Sequence, residues 1–220
     1  LDLLSGFWQV PLTAAARLKT AFITPFGLFH WKVMAMGLAN APASFQRSLD
    51  VVLAGLKWTC CLIYIDDVLI YSDTWEAHLE HLRQVFGRLH KHRLFVKPGK
   101  CTFGYAATTY LGHVVSAEGL RPLTRHIDAV RSFPRPETKT HVKSFLGLTS
   151  YYRSFVPNYA RITAPLRRLL PNEVPTNIKN CWNEHCESAF EELKKALTST
   201  PILAYPDWSM PFTLQTDASM

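Results

Sequence analysis

Cys61-Leu62-Ile63-Tyr64-Ile65-Asp66-Asp67-Val68-Leu69-Ile70-Tyr71-Ser72 sets two adjacent carboxylates between two apolar flanks and contains no Lys or Arg. The flanks are rich in Ile, Leu, Val and Tyr, residue types that suit a covered pleated surface, and they predict two paired strands. Asp66 and Asp67 then fall at the hairpin tip, where Asp tolerates turn geometry. Taken alone, the pattern describes either a tight turn closed by two solvated aspartates or a carboxylate pair kept for chemistry. The sequence on either side has to decide.

Upstream, Leu1-Asp2-Leu3 places another aspartate among apolar residues, followed by a turn at Ser5-Gly6-Phe7 and an extended piece over 8–12. Strands are predicted over 20–23 and 28–34, joined through Pro25-Phe26-Gly27. Asn40 reads as the N-cap of a helix with Pro42 in its first turn and Phe45, Leu49 and Val52 at helical spacing. Downstream, Leu79, Leu82, Val85, Phe86 and Leu89 predict an amphipathic helix over 74–92, with His78, His81, Arg83 and Arg88 mostly on its solvated face. Residues 110–116 read as a second hairpin-like piece, and 117–122, containing Gly119 and Pro122, as a boundary. Helical patterns follow over 124–133, 138–155 and 159–170. A polar linker over 171–180, a helix capped by Asn183 and a β-like run over 212–216 complete the chain.

At 220 residues the chain has room for one sizeable domain or two small ones. Its 48% apolar and 19% charged content is that of an ordinary globular protein. No apolar run reaches the length of a membrane span, and no signal-peptide pattern is present. Leu1-Asp2-Leu3 reads as the interior of a strand, so the sequence is expected to be a fragment of a longer chain. The odd number of cysteines, with Cys60 and Cys61 adjacent, predicts reduced thiols in an intracellular protein. Cys181-x-x-x-His185-Cys186 lacks a second ligand pair at finger-like spacing, which argues against zinc. The net charge of +7 is unevenly distributed: residues 120–171 hold ten Lys and Arg against two Asp and Glu. Such a block is an electrostatic footprint for phosphates, the alternative being a solvated basic helix face.

If the strand carrying Asp2 pairs beside the Asp66-Asp67 hairpin, three carboxylates converge. They would raise one another's pKa values unless cations bind. Hard oxygen ligands of this kind suit Mg²⁺, and two such ions roughly 3.5–4 Å apart serve in-line phosphoryl transfer. That chemistry needs a nucleotide or nucleic-acid substrate, for which the basic block offers a place.

The ordered series Leu1-Asp2-Leu3-x-Ser5-Gly6-Phe7-x-Gln9, Lys19-Thr20-Ala21-Phe22, Met34-x-x-Gly37-Leu38-x-Asn40-Ala41-Pro42-x-x-Phe45-Gln46 and Tyr64-Ile65-Asp66-Asp67 resembles reverse transcriptases. Lys100-Cys101-x-Phe103, Leu111-Gly112-His113 and Phe145-Leu146-Gly147-x-x-x-Tyr151-Tyr152-Arg153 continue it. The resemblance is to polymerases of Ty3/gypsy-type long-terminal-repeat retrotransposons and covers essentially the whole chain. It implies an α/β (α+β) fold: a palm with an antiparallel sheet flanked by helices, a helical thumb and a partial ribonuclease H-like segment. The implied divisions are 1–116 for the palm with part of the fingers, 117–171 for the thumb, and 172–220 for a linker and the start of the ribonuclease H-like domain.

The resemblance also implies roles. Asp2, Asp66 and Asp67 match the metal-binding carboxylates, with two Mg²⁺ ions, or Mn²⁺, as the cofactor. The Leu3 carbonyl would help to hold a metal. Phe7 matches the aromatic under the sugar of the incoming nucleotide, where a ring leaves no room for a 2′-hydroxyl. Met36 and Gly37 match the segment beside the incoming base and sugar, although Ala35-Met36 departs from the family's proline and phenylalanine. Lys100 matches a lysine near the pyrophosphate leaving group, with Lys97 as its competitor. Leu111, Gly112 and His113 resemble the hairpin that grips the primer end. Arg121, Arg125, Arg131, Lys143 and Arg153 are the thumb candidates for backbone contacts. Asp217 would be the first ribonuclease H carboxylate.

The implied activity is RNA-directed DNA polymerisation, with RNA–DNA hybrid ribonuclease activity in the parent protein. Implied partners are an RNA or DNA template with primer, dNTPs, and the protease, ribonuclease H and integrase of a polyprotein, with no membrane. The implied setting is the cytoplasm, including virus-like particles, with access to the nucleus. Two alternatives from other classes are an inactive retroelement remnant that only binds nucleic acid and a different palm-fold enzyme such as a cyclase.

Overall fold

The computed structural model describes residues 1–199, 202–214 and 216. It divides into two compact units, Leu1–Gly104 and Tyr105–Met220.

The first unit holds helix α1 (Ala14–Leu18), the hairpin β1 (Phe22–Thr24) and β2 (Gly27–Phe29), helix α2 (Ala41–Val52), the hairpin β3 (Cys61–Tyr64) and β4 (Asp67–Ile70), and helix α3 (Trp75–Lys91). Its core forms where α2 and α3 cover β3–β4. Alanine, phenylalanine, leucine and valine at 41, 45, 49 and 52 make one buried stripe along α2, as the helical period requires. Val85 and Leu89 do the same on α3, and Cys61, Ile63 and Val68 face them from the hairpin. Helix α3 starts at about the expected place, where the Thr74 hydroxyl caps it by accepting from the Ala77 amide, and His92 closes the helix. All five cysteines are free, and burial pushes the Cys61 thiol up to about 12.

Several local expectations change. Gly6–Gln9 is a 3-10 turn where an extended piece was expected after Phe7. The β1–β2 strands are three residues each, shorter than the predicted pair. Leu79, expected in the core, is 38% exposed. His78 and His81, expected in solvent, are half-buried and both Nδ1 atoms bond the Ser72 hydroxyl, at 3.3 and 2.7 Å. Spacing places these histidines on the side of the helix that meets the end of β4, and the hydroxyl satisfies them there.

The second unit begins with a three-stranded antiparallel sheet: β5 (Ala107–Tyr110), β6 (His113–Ser116) and β7 (Gly119–Pro122), in that order. The residues read as a boundary, 117–122, therefore contain a strand, and the implied division at 116 falls inside this sheet. Helices α4 (Thr124–Arg131), α5 (Lys139–Ser150), α6 (Tyr159–Arg167) and α7 (Glu184–Thr198) follow. Helix α5 stops at Ser150, before the predicted 155, and a short 3-10 turn spans Arg153–Phe155. Val142, Phe145, Tyr152, Leu166, Phe190, Leu193 and Leu197 share one buried cluster. The Phe145 and Phe190 rings approach to 4.6 Å. The expected polar linker is built into this unit. Ile178 is fully buried, its amide bonds the Glu137 carbonyl, and Lys139 bonds the Thr176 carbonyl. Residues 212–214 form no strand, and the rest of the predicted run is not wholly within the described residues.

Candidate active site

The β3–β4 hairpin turns through Ile65 and Asp66, one residue earlier than the expected tip at Asp66-Asp67. Tyr64 pairs with Asp67, so Asp67 already belongs to β4. Ile65 takes φ 50°, a left-handed conformation unusual for a β-branched residue. A side chain from α2 holds it there: Gln46 accepts the Ile65 amide at 2.7 Å through Oε1 and donates to the Ile63 carbonyl at 3.4 Å. The same Gln46 donates to Asp50 at 3.0 Å. Sequence reasoning assigned Gln46 no role. Its signal was a polar side chain next to the buried Phe45.

Asp2 lies directly opposite Asp67 in an antiparallel bridge. The Leu3 amide donates to the Asp66 carbonyl at 3.2 Å, and the Val68 amide donates to the Leu1 carbonyl at 3.0 Å. Backbone register thus brings all three aspartates to one edge. Leu3, buried, anchors this strand and bridges Val96 on its other side. The Asp2 carbonyl accepts from the Lys97 amide at 2.8 Å, which places the 97–100 turn against the site. Lys100 then lies with Nζ 3.5 Å from Asp2 Oδ2. The aspartate cluster therefore has a counter-charge after all, supplied from a distant part of the chain.

Asp66 is the electrostatically stressed member. Its Oδ1 is buried and has no hydrogen-bond partner. Desolvation, then the charges of Asp2 and Asp67, push its carboxyl above the ordinary range, with Lys100 opposing. An orphaned carboxylate oxygen of this kind, among carboxylates, fits a divalent cation by donor chemistry. Among the described residues, however, no three His, Cys, Asp or Glu side chains are grouped so that they could hold a metal ion together.

Gly6 makes the close packing possible. A Cβ there would meet Asp66 Oδ1 at 2.2 Å and the Phe45 ring at 2.6 Å. Only a residue without a side chain lets the 3-10 turn approach the carboxylate. The turn presents Phe7, half-buried, edge-on to Phe45 at 5.4 Å between ring centroids. Met36 is 66% exposed and Gly37 takes φ 85° in the adjoining loop.

In the second unit, Leu111 and Gly112 form the turn between β5 and β6, and His113 opens β6. Arg121 on β7 is paired with Glu118, and its Nε is buried without a partner. Arg131 pairs with Asp128 at 2.8 Å. Arg125, Lys143 and Arg153 are exposed and, among the described residues, make no ion pair. Asp217 lies outside the described residues.

Clustered carboxylates beside a lysine at the edge of a small antiparallel sheet carry the ligand chemistry of enzymes that transfer phosphoryl groups. Residues 1–115 match the family model described as reverse transcriptase (RNA-dependent DNA polymerase), and the chain belongs to that family. Residues 182–220 match the RNase H-like domain found in reverse transcriptase. The chain is 39% identical over 219 residues to the retrovirus-related Pol polyprotein from transposon 297 of Drosophila melanogaster, aligning all of this chain with 20% of that polyprotein. It is 36% identical over 227 residues to the Pol polyprotein from transposon gypsy of the same organism, covering 22% of it. It is 32% identical over 219 residues to the Tf2-3 polyprotein of Schizosaccharomyces pombe, covering 16% of it. It thus spans about a fifth of the length of these relatives.

Among solved structures, the foamy viral protease-reverse transcriptase in complex with dsDNA gives a TM-score of 0.83 at 28% identity, covering 96% of this chain and 44% of that one. The same protein in complex with RNA/DNA hybrid gives 0.78 at 28%, covering 92% and 27%. These matches fit the Ty3/gypsy resemblance and the α/β polymerase fold. Reverse transcriptases as a family use divalent metal ions. No helix among the described residues is long and apolar enough to cross a membrane.

Proposed function

We propose that this chain forms the catalytic centre and duplex-holding part of a retrotransposon RNA-directed DNA polymerase. The expected divisions, 1–116 as palm, 117–171 as thumb and 172–220 leading into the ribonuclease H-like domain, would hold apart from the first boundary, which moves to Gly104 so that β5–β7 stay together. The observation that carries the reading is the register of Asp2 opposite Asp67 with the stressed Asp66 carboxylate beside them.

Asp2, Asp66 and Asp67 would hold Mg²⁺, with the Leu3 carbonyl as a further ligand. When bound, such ions neutralise carboxylate repulsion and stabilise charge on the transferring phosphoryl oxygens. The substrates are a primer on an RNA or DNA template and a dNTP. The remaining parts, contributed by this chain, are electrostatic and steric. Lys100, within reach of Asp2, places an ammonium where negative charge leaves with pyrophosphate. Phe7, braced by Phe45, would close the space of a ribose 2′-hydroxyl and select deoxynucleotides. Met36 and Gly37 would border the base and sugar. The Leu111-Gly112-His113 hairpin would grip the primer end. Arg125, Lys143 and Arg153 would touch phosphates, giving salt-dependent binding without base readout. Arg121 and Arg131, tied to Glu118 and Asp128, would contribute less. Asp217 would begin the ribonuclease H carboxylate set, and the protease and integrase would belong to the same polyprotein, acting in cytoplasmic particles with access to the nucleus.

The test is primer extension on an RNA template by the polymerase that carries this chain. Asp66→Asn and Asp67→Asn should each abolish extension and leave primer–template binding within about two-fold, since neither touches the thumb's phosphate contacts. Wild-type extension by either variant would remove the assignment.

A further inference from the structure

We propose that the hydroxyls of Tyr151 and Tyr152, the latter backed by His126, are positioning groups that fix the Leu111-Gly112 turn and, through it, the primer terminus. This rests on the reading of that turn as the primer-gripping hairpin.

The turn needs an outside hold. Leu111 and Gly112 both have positive φ, 45° and 72°, the two-residue geometry that suits a right-twisted hairpin but disfavours leucine. Both turn carbonyls point away from the strand ladder, and each accepts a hydroxyl from a residue 40 positions on. Tyr151 donates to the Leu111 carbonyl at 2.6 Å, and Tyr152 donates to the Gly112 carbonyl at 2.7 Å. His113 adds its Nδ1 to the Leu111 carbonyl at 2.8 Å, so that nitrogen carries the proton.

The two tyrosines differ in environment. Tyr152 is fully buried, and its oxygen lies 2.5 Å from His126 Nδ1. Burial raises the phenol above its ordinary range, so the hydroxyl keeps its proton and donates it to the Gly112 carbonyl. The same oxygen accepts from His126, completing a chain from α4 to the turn. Tyr151 is 54% exposed. Its ring stacks on His113 at 5.5 Å, and a Cβ at residue 112 would meet its hydroxyl at 2.9 Å. Phe155 covers the other stacked contact of His113 at 5.8 Å. A purely structural cluster would need the rings alone. Phenylalanine fills the same space without the desolvation cost of a buried hydroxyl. The observation that both hydroxyls converge on adjacent carbonyls of one turn points to positioning.

The experiment uses the full polymerase carrying this chain, with Tyr151→Phe, Tyr152→Phe and the double variant. Active sites are titrated, and single-nucleotide addition is timed at saturating dNTP. Losing one neutral hydrogen bond loosens an equilibrium by about five-fold. The single variants should therefore slow addition per active site about five-fold, and the double variant more, with dNTP affinity unchanged. Addition from a mismatched primer end should suffer further. Unchanged rates per active site with only a lower melting temperature would overturn the proposal. Gly112→Ala, which forces its Cβ onto the Tyr151 ring, separates the two levels of the argument. If it slows addition while the tyrosine variants do not, the hydroxyls are structural and the hairpin reading stands. If neither slows addition, the hairpin reading falls and the proposal with it.

Discussion

Replacing Gly6 by alanine puts a methyl group in place of a hydrogen at a crowded point of the site. The new Cβ would lie 2.2 Å from Asp66 Oδ1 and 2.6 Å from Phe45 Cζ, where ordinary contact starts at 3.4 Å. Phe45 is fully buried and cannot retreat without opening the core, so the carboxylate and the 3-10 turn must yield. Overpacking of this kind costs about 1–3 kcal/mol. At about 4–8 °C per kcal/mol for a unit of this size, the loss is measurable by melting. The larger effect falls on chemistry. If Asp66 holds a metal as proposed, displacing its carboxylate by about 1 Å costs on the order of a hundred-fold in rate. Gly6→Ala should therefore lose extension activity far beyond its stability loss, measured as single-nucleotide addition per folded molecule at a temperature well below melting. Suppression by Phe45→Leu would follow if the ring is the rigid partner. A Gly6→Ala enzyme that melts and polymerises like the parent would show that Asp66 does not sit against this turn.

Two further outcomes follow from the same first unit. Asp66 has its carboxyl pushed up in the fold, so its contribution to stability is fully present below the unfolded value of 3.8 and is lost as pH rises through the folded value. At neutral pH its ionised form destabilises the unit, and Asp66→Asn should resist urea better than the parent at pH 7, with the gap closing towards pH 4. An equal or lower resistance at pH 7 would contradict the desolvated placement. Gly87 lies exposed inside α3 with nothing within 4 Å of an added Cβ, so Gly87→Ala should stabilise by about 0.5–1 kcal/mol in the same urea titration and leave catalysis alone.

The parts legible in the sequence were those whose signals are local. The start of α3 at Thr74, the Asn183 cap and the stripe Phe45-Leu49-Val52 declare themselves within a few residues and appear where expected, and the Asp-Asp hairpin forms with its turn one residue earlier than expected. What could not be read depended on distant neighbours. Lys100 meets Asp2 across 98 positions, so a stretch without a nearby cation looked uncompensated. Gly119 and Pro122 read as punctuation, yet Gly119 serves a close approach: an added Cβ would meet the Leu203 carbonyl oxygen at 2.5 Å. Leu120 and Leu203 there exchange both backbone bonds at 2.9 Å, a pairing with no sequence signature. The segment 171–180 looked like a linker because its side chains are polar, whereas its backbone groups and Ile178 do the anchoring.

The placement of α7 bears on how such polymerases can be taken apart. The RNase H-like match begins at Trp182, but Trp182, Phe190, Leu193 and Leu197 are interior to the same cluster as Phe145 and Tyr152, and the chain is stitched to β7 again at Leu203. A protein engineer who grafted a foreign nuclease at residue 182 would be removing a wall of the polymerase. The part of the chain that packs in this unit runs at least to Tyr205, whose hydroxyl donates to the Ser116 carbonyl, well past the point where the family matches change over.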